Sequence, residues 1–461
     1  MRVDRRTIVI IFFTALALCA LVTKTHVVGW NDGSRVATVD ALTADHTFQI
    51  DGSPYAVGLG DQIRYRGRTY SDKPPLVAVA GAGVAEVLAP FGITLRRTPG
   101  TAIYLVTLLT VGVAFALGCC YAYAFQLLLG YERRVAAAVA ALTGVATLAL
   151  PYATVLVNHV PCGAAAIAAC YHLYRHRTRG GGSADVALGG MFLALAYAVD
   201  AAGIMFALAG AVLLWGAPAR RWLVCIAAGL PVVALQLAYN LAVSGSPVPT
   251  VFNLGVWSDP SLPLHAESLQ VMRWFSPLEY LGFAVNLLVG GRGLFSFTPL
   301  MAVTGYGFAR MFRARGHVRA LAVAIVATSF VFFIMIVFLQ NDAHARNFGE
   351  RRYVDLFFVL CIALGPALTA VRGPAATAAV RIAVAASIAI AALGTVAPFA
   401  GDPGESGFVF GSVEFAALAR RAPVQAALDV LLLVVMIGVV LRVTPLSGER
   451  AAVRGAVPPR G

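Results

Sequence analysis

Long apolar segments alternate with short polar segments along most of the chain, and this pattern sets the fold class. Twelve segments are long enough, or nearly so, to cross a hydrocarbon core of about 30 Å. A backbone in lipid has to satisfy its own hydrogen bonds, so each crossing segment is predicted to be a helix. We therefore predict an all-α polytopic membrane protein with about 12 transmembrane helices, within a range of about 11–13. The predicted spans are residues 7–23, 101–127, 135–151, 159–174, 186–200, 201–216, 222–243, 298–312, 318–340, 353–371, 377–398 and 424–443.

Residues 75–91 form an apolar segment whose placement the pattern alone leaves open. The segment contains Glu86 and many small residues, and it is barely long enough to span. If it crossed the membrane, the arginine clusters that follow it would fall outside, against the positive-inside rule. We therefore predict that residues 75–91 form an interfacial or re-entrant helix and that both termini are cytoplasmic. The predicted outer loops are then residues 24–100, 244–297, 341–352 and 399–423.

The composition supports the membrane class and argues against nucleic-acid binding. Of the 461 residues, 59% are hydrophobic and 12% are charged, whereas roughly 25% of a soluble domain is charged. The net charge of +13 lies in short basic clusters between apolar segments, with no long basic run. All seven cysteines fall within predicted apolar segments, and no Cys/His spacing typical of a metal site is present. We therefore predict neither disulfides nor a cofactor.

The first outer loop, residues 24–100, carries the polar residues most suited to chemistry. Lys73 lies in "GRTYSDKPPL", between an aspartate and two prolines that stiffen the entry to segment 75–91. A lysine there can bind a phosphate at the membrane surface, and an aspartate such as Asp32 can accept a proton from an incoming hydroxyl. Alternatively, Asp72 and Lys73 form a local ion pair, and the nearby arginines contact anionic headgroups. The spacing alone favours this second interpretation.

Other polar features outside this loop have simpler interpretations beside the functional ones. His159, at the outer end of a predicted span, is either a polar helix cap or a residue that lines a site, and both interpretations stay open. Asp200 is predicted to lie in a surface turn, and Asp355 is predicted to orient an arginine one turn away. The aromatic, amphipathic residues 264–291 are predicted to form an interfacial anchor. The tail, residues 447–461, is predicted to be disordered and cytoplasmic.

The polar loop has a recognisable motif pattern. The segments "NDGSR…ALTADHTFQID…GDQIRYRGRTYSDKPPL" resemble the first outer loop of the C-type (GT-C) polytopic glycosyltransferases. That superfamily includes protein O-mannosyltransferases and lipid A aminoarabinose transferases, and the chain is most similar to a bacterial branch with Tyr-Ser-Asp-Lys followed by Ala-Pro or Pro-Pro. Further similar segments follow in order, and the resemblance covers roughly residues 5–370. These segments are "LVNHVPCGAAA", "AYNLAVSGSPVPT", "GGRGLFSFTPLM" and "NFGERRYVDLFFVL".

The resemblance implies a single integral membrane glycosyltransferase domain over residues 1–461, with the catalytic and phosphate-binding motifs in residues 24–100. The donor would be a sugar on a polyprenyl phosphate, transferred with inversion. Because phosphate leaves as a stabilised anion, such a site needs one base and fixed cations, without a second carboxylic acid. The matching positions are Asp32 as the base, with substrate-binding roles for Lys73, Asp72, Tyr70, Arg292, Arg351, Arg352 and His159.

One departure from the family pattern leaves the base open. The family often has Asp-Glu where this chain has Asn31-Asp32, so Asp40 and Asp61 are alternatives to Asp32. Some superfamily members need a divalent metal, which the resemblance leaves open, but the sequence shows no cluster of metal ligands.

The resemblance implies an enzyme of the bacterial cytoplasmic membrane whose site faces the extracytoplasmic side. The acceptor would be a cell-envelope glycan, a lipid or a protein, the transferred sugar would be a hexose or a pentose, and nucleic acid is not an expected partner. The alternatives are a transporter, a lipid flippase or a non-catalytic member of the superfamily. A transporter should carry ionisable residues near the middle of its spans. Here the charges cluster at the ends of the spans, which favours the enzyme.

Overall fold

The computed structural model describes residues 5–180, 182–253, 256, 276–339, 347–399 and 407–445, and helices dominate it. In chain order the α-helices are α1 (Arg5–Val22), α2 (Trp30–Ala44), α3 (Leu76–Leu88), α4 (Pro99–Thr107), α5 (Val113–Leu128), α6 (Arg133–Val145), α7 (Ala149–Tyr152), α8 (His159–Arg179), α9 (Ser183–Val199), α10 (Phe206–Leu214), α11 (Ala219–Ser244), α12 (Pro277–Val289), α13 (Leu294–Phe297), α14 (Leu300–Arg313), α15 (His317–Leu339), α16 (Val354–Leu360), α17 (Leu364–Leu368), α18 (Pro374–Val396), α19 (Gly407–Arg421) and α20 (Pro423–Val443). Buried apolar side chains form one continuous cluster from Ala15 in α1 to Val440 in α20. The helical fold class predicted from the apolar pattern is confirmed.

The predicted spans correspond to helices in the structure. Seven helical segments in the described part of the chain are long and apolar enough to cross a membrane: Arg5–Val22, Pro99–Leu128, Ala219–Ser244, Pro277–Phe297, His317–Phe338, Pro374–Val396 and Pro423–Val443. The predicted span 159–174 coincides with α8, a helix of 21 residues that ends in a basic segment. The remaining predicted spans coincide with shorter or interrupted helices, such as α16 and α17, between which a 3₁₀ turn lies. The multi-pass class is confirmed, whereas the number of twelve spans stays a prediction.

The segment expected to be interfacial or re-entrant forms a short helix. It comprises α3 and a 3₁₀ turn and covers Leu76–Phe91, which at 1.5 Å per residue is about 24 Å, less than the hydrocarbon core. Small residues let α3 approach its neighbours closely. A Cβ on Gly81 would lie 3.0 Å from side-chain carbons of both Val39 in α2 and Val106 in α4. This packing fixes the chain immediately after Lys73.

The predicted interfacial anchor differs from the structure. Residues 264–275 lie outside the described residues, but α12 begins with a capping box in which Ser276 and Glu279 satisfy each other's backbone N–H groups. With α13 it forms the segment Pro277–Phe297, which is long and apolar enough to cross a membrane. This part of the expected outer loop is therefore a candidate span. The tail predicted to be disordered also lies outside the described residues.

A small hairpin interrupts the helices in the first outer loop. Strands β1 (Gln62–Tyr65) and β2 (Arg68–Ser71) pair antiparallel. The two residues between them, Arg66 and Gly67, have φ values of 51° and 75°, which is the backbone geometry that tight hairpin turns favour. The sequence interpretation expected no strand here. The strands are only four residues long, the shortest length at which an alternation of polar and apolar residues indicates a strand.

Candidate active site

The hairpin delivers Lys73 into a clamp of two carboxylates. Its Nζ lies 2.8 Å from Oδ2 of Asp61 and 2.7 Å from Oδ2 of Asp72, and the lysine side chain is only 14% exposed. The Ser71 hydroxyl accepts a hydrogen bond from the backbone N–H of Lys73. Strand pairing on one side and the seated α3 on the other therefore hold the lysine in place. The ion pair with Asp72 was one of the two sequence interpretations, but Asp61 was not expected to join it.

The two carboxylates of the clamp respond differently to their surroundings. Burial opposes ionisation of Asp61, but the charges of Lys73 and Arg351 outweigh burial and lower its pKa. Burial raises the pKa of Asp72, and the nearby charge of Lys73 only partly offsets this effect. Oδ1 of Asp72 is also buried without a hydrogen-bond donor among the described residues. Asp61 is thus the carboxylate held in its ionised, proton-accepting form at neutral pH.

Arg35 brings a second buried cation to the same region. It is 1% exposed, and its guanidinium donates to the carbonyl and amide oxygens of Asn31 and to Oδ1 of Asn158, all neutral acceptors. Within the described residues it forms no ion pair, and its Nε has no acceptor. Burial lowers the pKa of Arg35 to about 10, so it stays protonated at neutral pH. Asp72, Asp200 and Asp61 lie close enough to favour its charged form, but none of them contacts it. A buried guanidinium with an unused N–H donor is suited to binding an anion.

The sequence interpretation missed Arg35. A signal was present, since Arg35 is a lone arginine among small and apolar residues on an amphipathic helix. Its burial could not be read from this pattern, because the helix face that carries Arg35 turns toward Asn158, which is 123 residues away in sequence.

The structure gives Asp32 and Asp40 other partners. Asp32 is the third residue of α2, and its two carboxylate oxygens accept 2.8 Å hydrogen bonds from the backbone N–H groups of Val28 and Gly29. Burial raises the pKa of Asp32 to about 6, although these hydrogen bonds oppose the rise. Asp40 pairs with Arg96 at 3.1 Å. Of the three aspartates that the sequence left open as the base, Asp61 is the one that contacts Lys73.

The remaining predicted ligands fall into two groups. Arg351 lies close enough to Asp61 to lower its pKa, and its guanidinium also donates to Asn347. Arg352 instead faces Glu350 at 3.6 Å, whose backbone N–H donates to the carbonyl of Arg292. Arg351 therefore joins the clamp electrostatically, whereas the described contacts link the segments of Arg352 and Arg292 to each other.

Tyr70 supports the hairpin through packing. It lies opposite Ile63 in the β1–β2 register, and both residues belong to a small apolar cluster with Tyr239 and Val243 of α11. This cluster anchors the hairpin on α11 and so contributes to the position of Lys73.

His159 lies in a separate cluster with two carboxylates. Its Nδ1 is 3.2 Å from Oδ1 of Asp355 and 3.3 Å from Oδ2 of Asp200. The sequence interpretation placed Asp200 in a surface turn and paired Asp355 with an arginine. The structure corrects both predictions, because each aspartate contacts His159. Nδ2 of Asn158 donates to Asp200 while its Oδ1 accepts from Arg35. Asn158 therefore connects this cluster to Arg35.

The chain resembles several solved structures in fold, among them two of ArnT from Cupriavidus metallidurans. The form bound to undecaprenyl phosphate has a TM-score of 0.50 and 17% sequence identity, and the match covers 96% of this chain and 77% of that one. The apo form has a TM-score of 0.53 and 15% identity, and the match covers 95% of this chain and 76% of that one. Another is the oligosaccharyltransferase of Archaeoglobus fulgidus in complex with Zn and sulfate. Its TM-score is 0.50 at 15% sequence identity, and the match covers 86% of this chain and 53% of that one.

These likenesses show the fold of the chain. The chain has the GT-C fold of polytopic membrane glycosyltransferases, as its motifs predicted. No family model matches the sequence. No curated protein matches it either. At these identities the likeness shows the fold alone, and membership of the Tyr-Ser-Asp-Lys branch stays a prediction.

Proposed function

We propose that this chain transfers a sugar from a polyprenyl-phosphate carrier to an acceptor hydroxyl. The observation that carries the proposal is the buried Arg35, a cation without a carboxylate partner among the described residues, beside the clamp on Lys73. The charge of Arg351 also reaches the clamp, so several cations lie around these carboxylates. A sugar-phosphate-lipid phosphodiester carries one negative charge, and Nε of Arg35, which has no acceptor among the described residues, would donate a hydrogen bond to it. The likeness to ArnT bound to undecaprenyl phosphate supports the same class of ligand.

Lys73 can bind the phosphate without leaving its clamp. An ammonium group has three N–H donors, and Asp61 and Asp72 use two of them. The third donor, together with the guanidinium of Arg35, faces the developing negative charge as the phosphate departs. Fixed cations in a water-poor site stabilise such charge more strongly than cations in water.

The transfer follows from this arrangement. The acceptor oxygen attacks the anomeric carbon from the face opposite the phosphate, and the bond between that carbon and the phosphate oxygen breaks with the electron pair going to phosphate. Asp61 accepts the proton of the acceptor hydroxyl, and the sugar configuration inverts. We assign the base to Asp61 because both oxygens of Asp32 already accept backbone hydrogen bonds. In this assignment Asp72 orients Lys73, and Arg351 stabilises the ionised form of Asp61.

The positive-inside rule supports a site on the extracytoplasmic face of a bacterial cytoplasmic membrane, since the basic clusters between later spans then face inward. The acceptor would be a cell-envelope glycan, a lipid or a protein. The transferred sugar would be a hexose or a pentose, and a transfer assay would identify both. A transporter or flippase would also bind the carrier lipid, but it would not cleave the sugar–phosphate bond.

The test is carrier binding by native mass spectrometry of the purified full-length chain in detergent, with undecaprenyl phosphate added. We expect the wild type to bind the lipid and Lys73→Ala to bind at least about tenfold less, because a charge-assisted contact is lost. Arg96→Ala is the matched control, since Arg96 is a cation of the same loop that pairs with Asp40 and Asp45. Equal lipid binding by the wild type and Lys73→Ala would contradict the proposal.

A further inference from the structure

Three metal-ligating side chains converge outside the proposed transfer site. His159 begins α8, Asp200 follows the last residue of α9, and Asp355 lies in the first turn of α16. His159 is 5% exposed and Asp355 is 0% exposed. Their ligand atoms all lie within 4.8 Å of one another. The transfer reaction described above uses none of these three groups.

The distances in this cluster are at the long end of the range for a hydrogen-bonded pair. Three carboxylate oxygens surround the single atom Nδ1 of His159, two of Asp355 at 3.2 and 3.3 Å and one of Asp200 at 3.3 Å. One N–H cannot donate well to three acceptors, and charge-assisted N–H···O bonds are about 2.7–2.9 Å. The same helix provides a comparison, because Nδ1 of His172 lies closer to Asp185, at 2.9 Å.

The separations fit ligands arranged around a cation. In a tetrahedral site with metal–ligand bonds of about 2.0–2.1 Å, neighbouring ligand atoms are about 3.3–3.4 Å apart. The nitrogen–oxygen distances at His159 match two of these edges, and the third edge, between the oxygens of Asp200 and Asp355, is at most 4.8 Å. Imidazole nitrogen and carboxylate oxygen are also ligand types that zinc and related divalent cations prefer.

Neighbouring groups orient the two carboxylates. Asp200 accepts a hydrogen bond from the amide of Asn158 through Oδ2 and one from the backbone N–H of Ala202 through Oδ1. The thiol of Cys162, one turn after His159, lies close to the carboxylate of Asp355. Such outer contacts are typical of metal ligands, which need a fixed orientation.

We propose that His159, Asp200 and Asp355 bind a divalent transition-metal cation, Zn²⁺ in the first instance. Three protein ligands leave a fourth position for water or another ligand. The cation would compensate the buried carboxylate of Asp355 and the partly buried one of Asp200, and it would tie the ends of α8, α9 and α16 together. This inference stands on the geometry of the cluster and does not depend on sugar transfer.

The test measures bound metal and not activity. The purified full-length chain is incubated with Zn²⁺, desalted and analysed by inductively coupled plasma mass spectrometry. We expect about one equivalent in the wild type, as a single site requires, and at least a tenfold loss in His159→Gln and Asp355→Asn, as removal of ligands predicts. His172→Gln is the matched control, a buried histidine of the same helix that should leave the zinc content unchanged.

A second measurement covers variants that fail to fold. The melting temperature of the wild-type chain should rise with added Zn²⁺ and fall after EDTA treatment, because a ligand that binds only the folded state stabilises it. Wild-type protein that retains no zinc and shows no melting shift overturns the proposal. Full zinc retention by both folded variants overturns it as well, because the metal would then be bound elsewhere.

Discussion

The choice between Asp61 and Asp32 as the base can be tested with two isosteric substitutions, Asp61→Asn and Asp32→Asn. Removing a general base costs about 10²–10⁴-fold in rate. If Asp61 accepts the proton, the transfer rate of Asp61→Asn falls by that factor. The rate of Asp32→Asn stays within about threefold of the wild type, because the general base is still present. The assay is release of polyprenyl phosphate from a glycosylated carrier, followed by mass spectrometry.

Neither substitution should prevent folding, so the rates can be compared. Asn at position 32 keeps one acceptor for two backbone donors, and the unpaired N–H costs about 1–3 kcal/mol. Against this, the rise in the pKa of Asp32 from 3.8 to about 6 means that its ionised form is disfavoured by about 3 kcal/mol at neutral pH. The two effects nearly cancel. In Asp61→Asn, Lys73 keeps Asp72 as a partner, so the loss is about that of one buried contact, about 1–3 kcal/mol.

The pH dependence separates the two assignments without any substitution. A base must be deprotonated, so activity falls as the pH drops through its pKa. The pKa of Asp61 is lowered, which predicts a flat rate from pH 8 down to about pH 5. If Asp32 is the base, the rate falls below its pKa of about 6. A folded Asp32→Asn protein without transfer activity, together with an active Asp61→Asn protein, would refute the assignment and return the role to Asp32.

Three further predictions concern the fold and the site. Arg35→Gln should weaken undecaprenyl phosphate binding at least about tenfold in the native mass spectrum, because a buried charge-assisted contact is lost. Gly81→Leu should lower the melting temperature, because the position has only 3.0 Å of clearance for a Cβ. Because the folded-state pKa of Asp32 is raised to about 6, its contribution to stability is present below pH 4 and is lost as the pH rises through about 6. The unfolding free energy of the wild type should therefore fall by about 2 kcal/mol more than that of Asp32→Asn between pH 4 and pH 6.

Each of these predictions has a control. Arg64→Gln changes an exposed arginine of the same loop and should leave lipid binding unchanged. Gly83→Ala, also in α3, adds a Cβ where no atom lies within 4 Å, so it should not lower the melting temperature. Full lipid binding by Arg35→Gln would contradict the first prediction, and an unchanged melting temperature of Gly81→Leu would contradict the second. The third would be contradicted if the unfolding free energies of the wild type and Asp32→Asn depended on pH in the same way.

The apolar pattern predicted the helices well because length and hydropathy are local properties. It also predicted α3, since residues 75–91 form an apolar segment rich in small residues. The hairpin escaped prediction because its order depends on packing against Tyr239 in α11, a contact that no local pattern of residues 62–71 contains.

The site was harder to predict than the fold because its contacts join distant segments. Lys73 and Asp72 are neighbours in sequence, but the link from His159 to Asp355 crosses 196 positions. Asp32 matched the family motif, yet the motif does not contain the information that its carboxylate closes the first turn of α2. Arg35 illustrates the same limit, since its burial depends on Asn158 and not on its own neighbours.

The fixed cations around Lys73 meet a different charge at each end of the reaction. The sugar-bearing carrier is a phosphodiester with one negative charge, whereas the released carrier is a monoester that approaches two negative charges near pH 7. Lys73 and Arg35 would therefore attract the spent carrier at least as strongly as the loaded one. The spent carrier should leave slowly and compete with the loaded carrier, so the amount of free carrier in the membrane would set the rate of turnover.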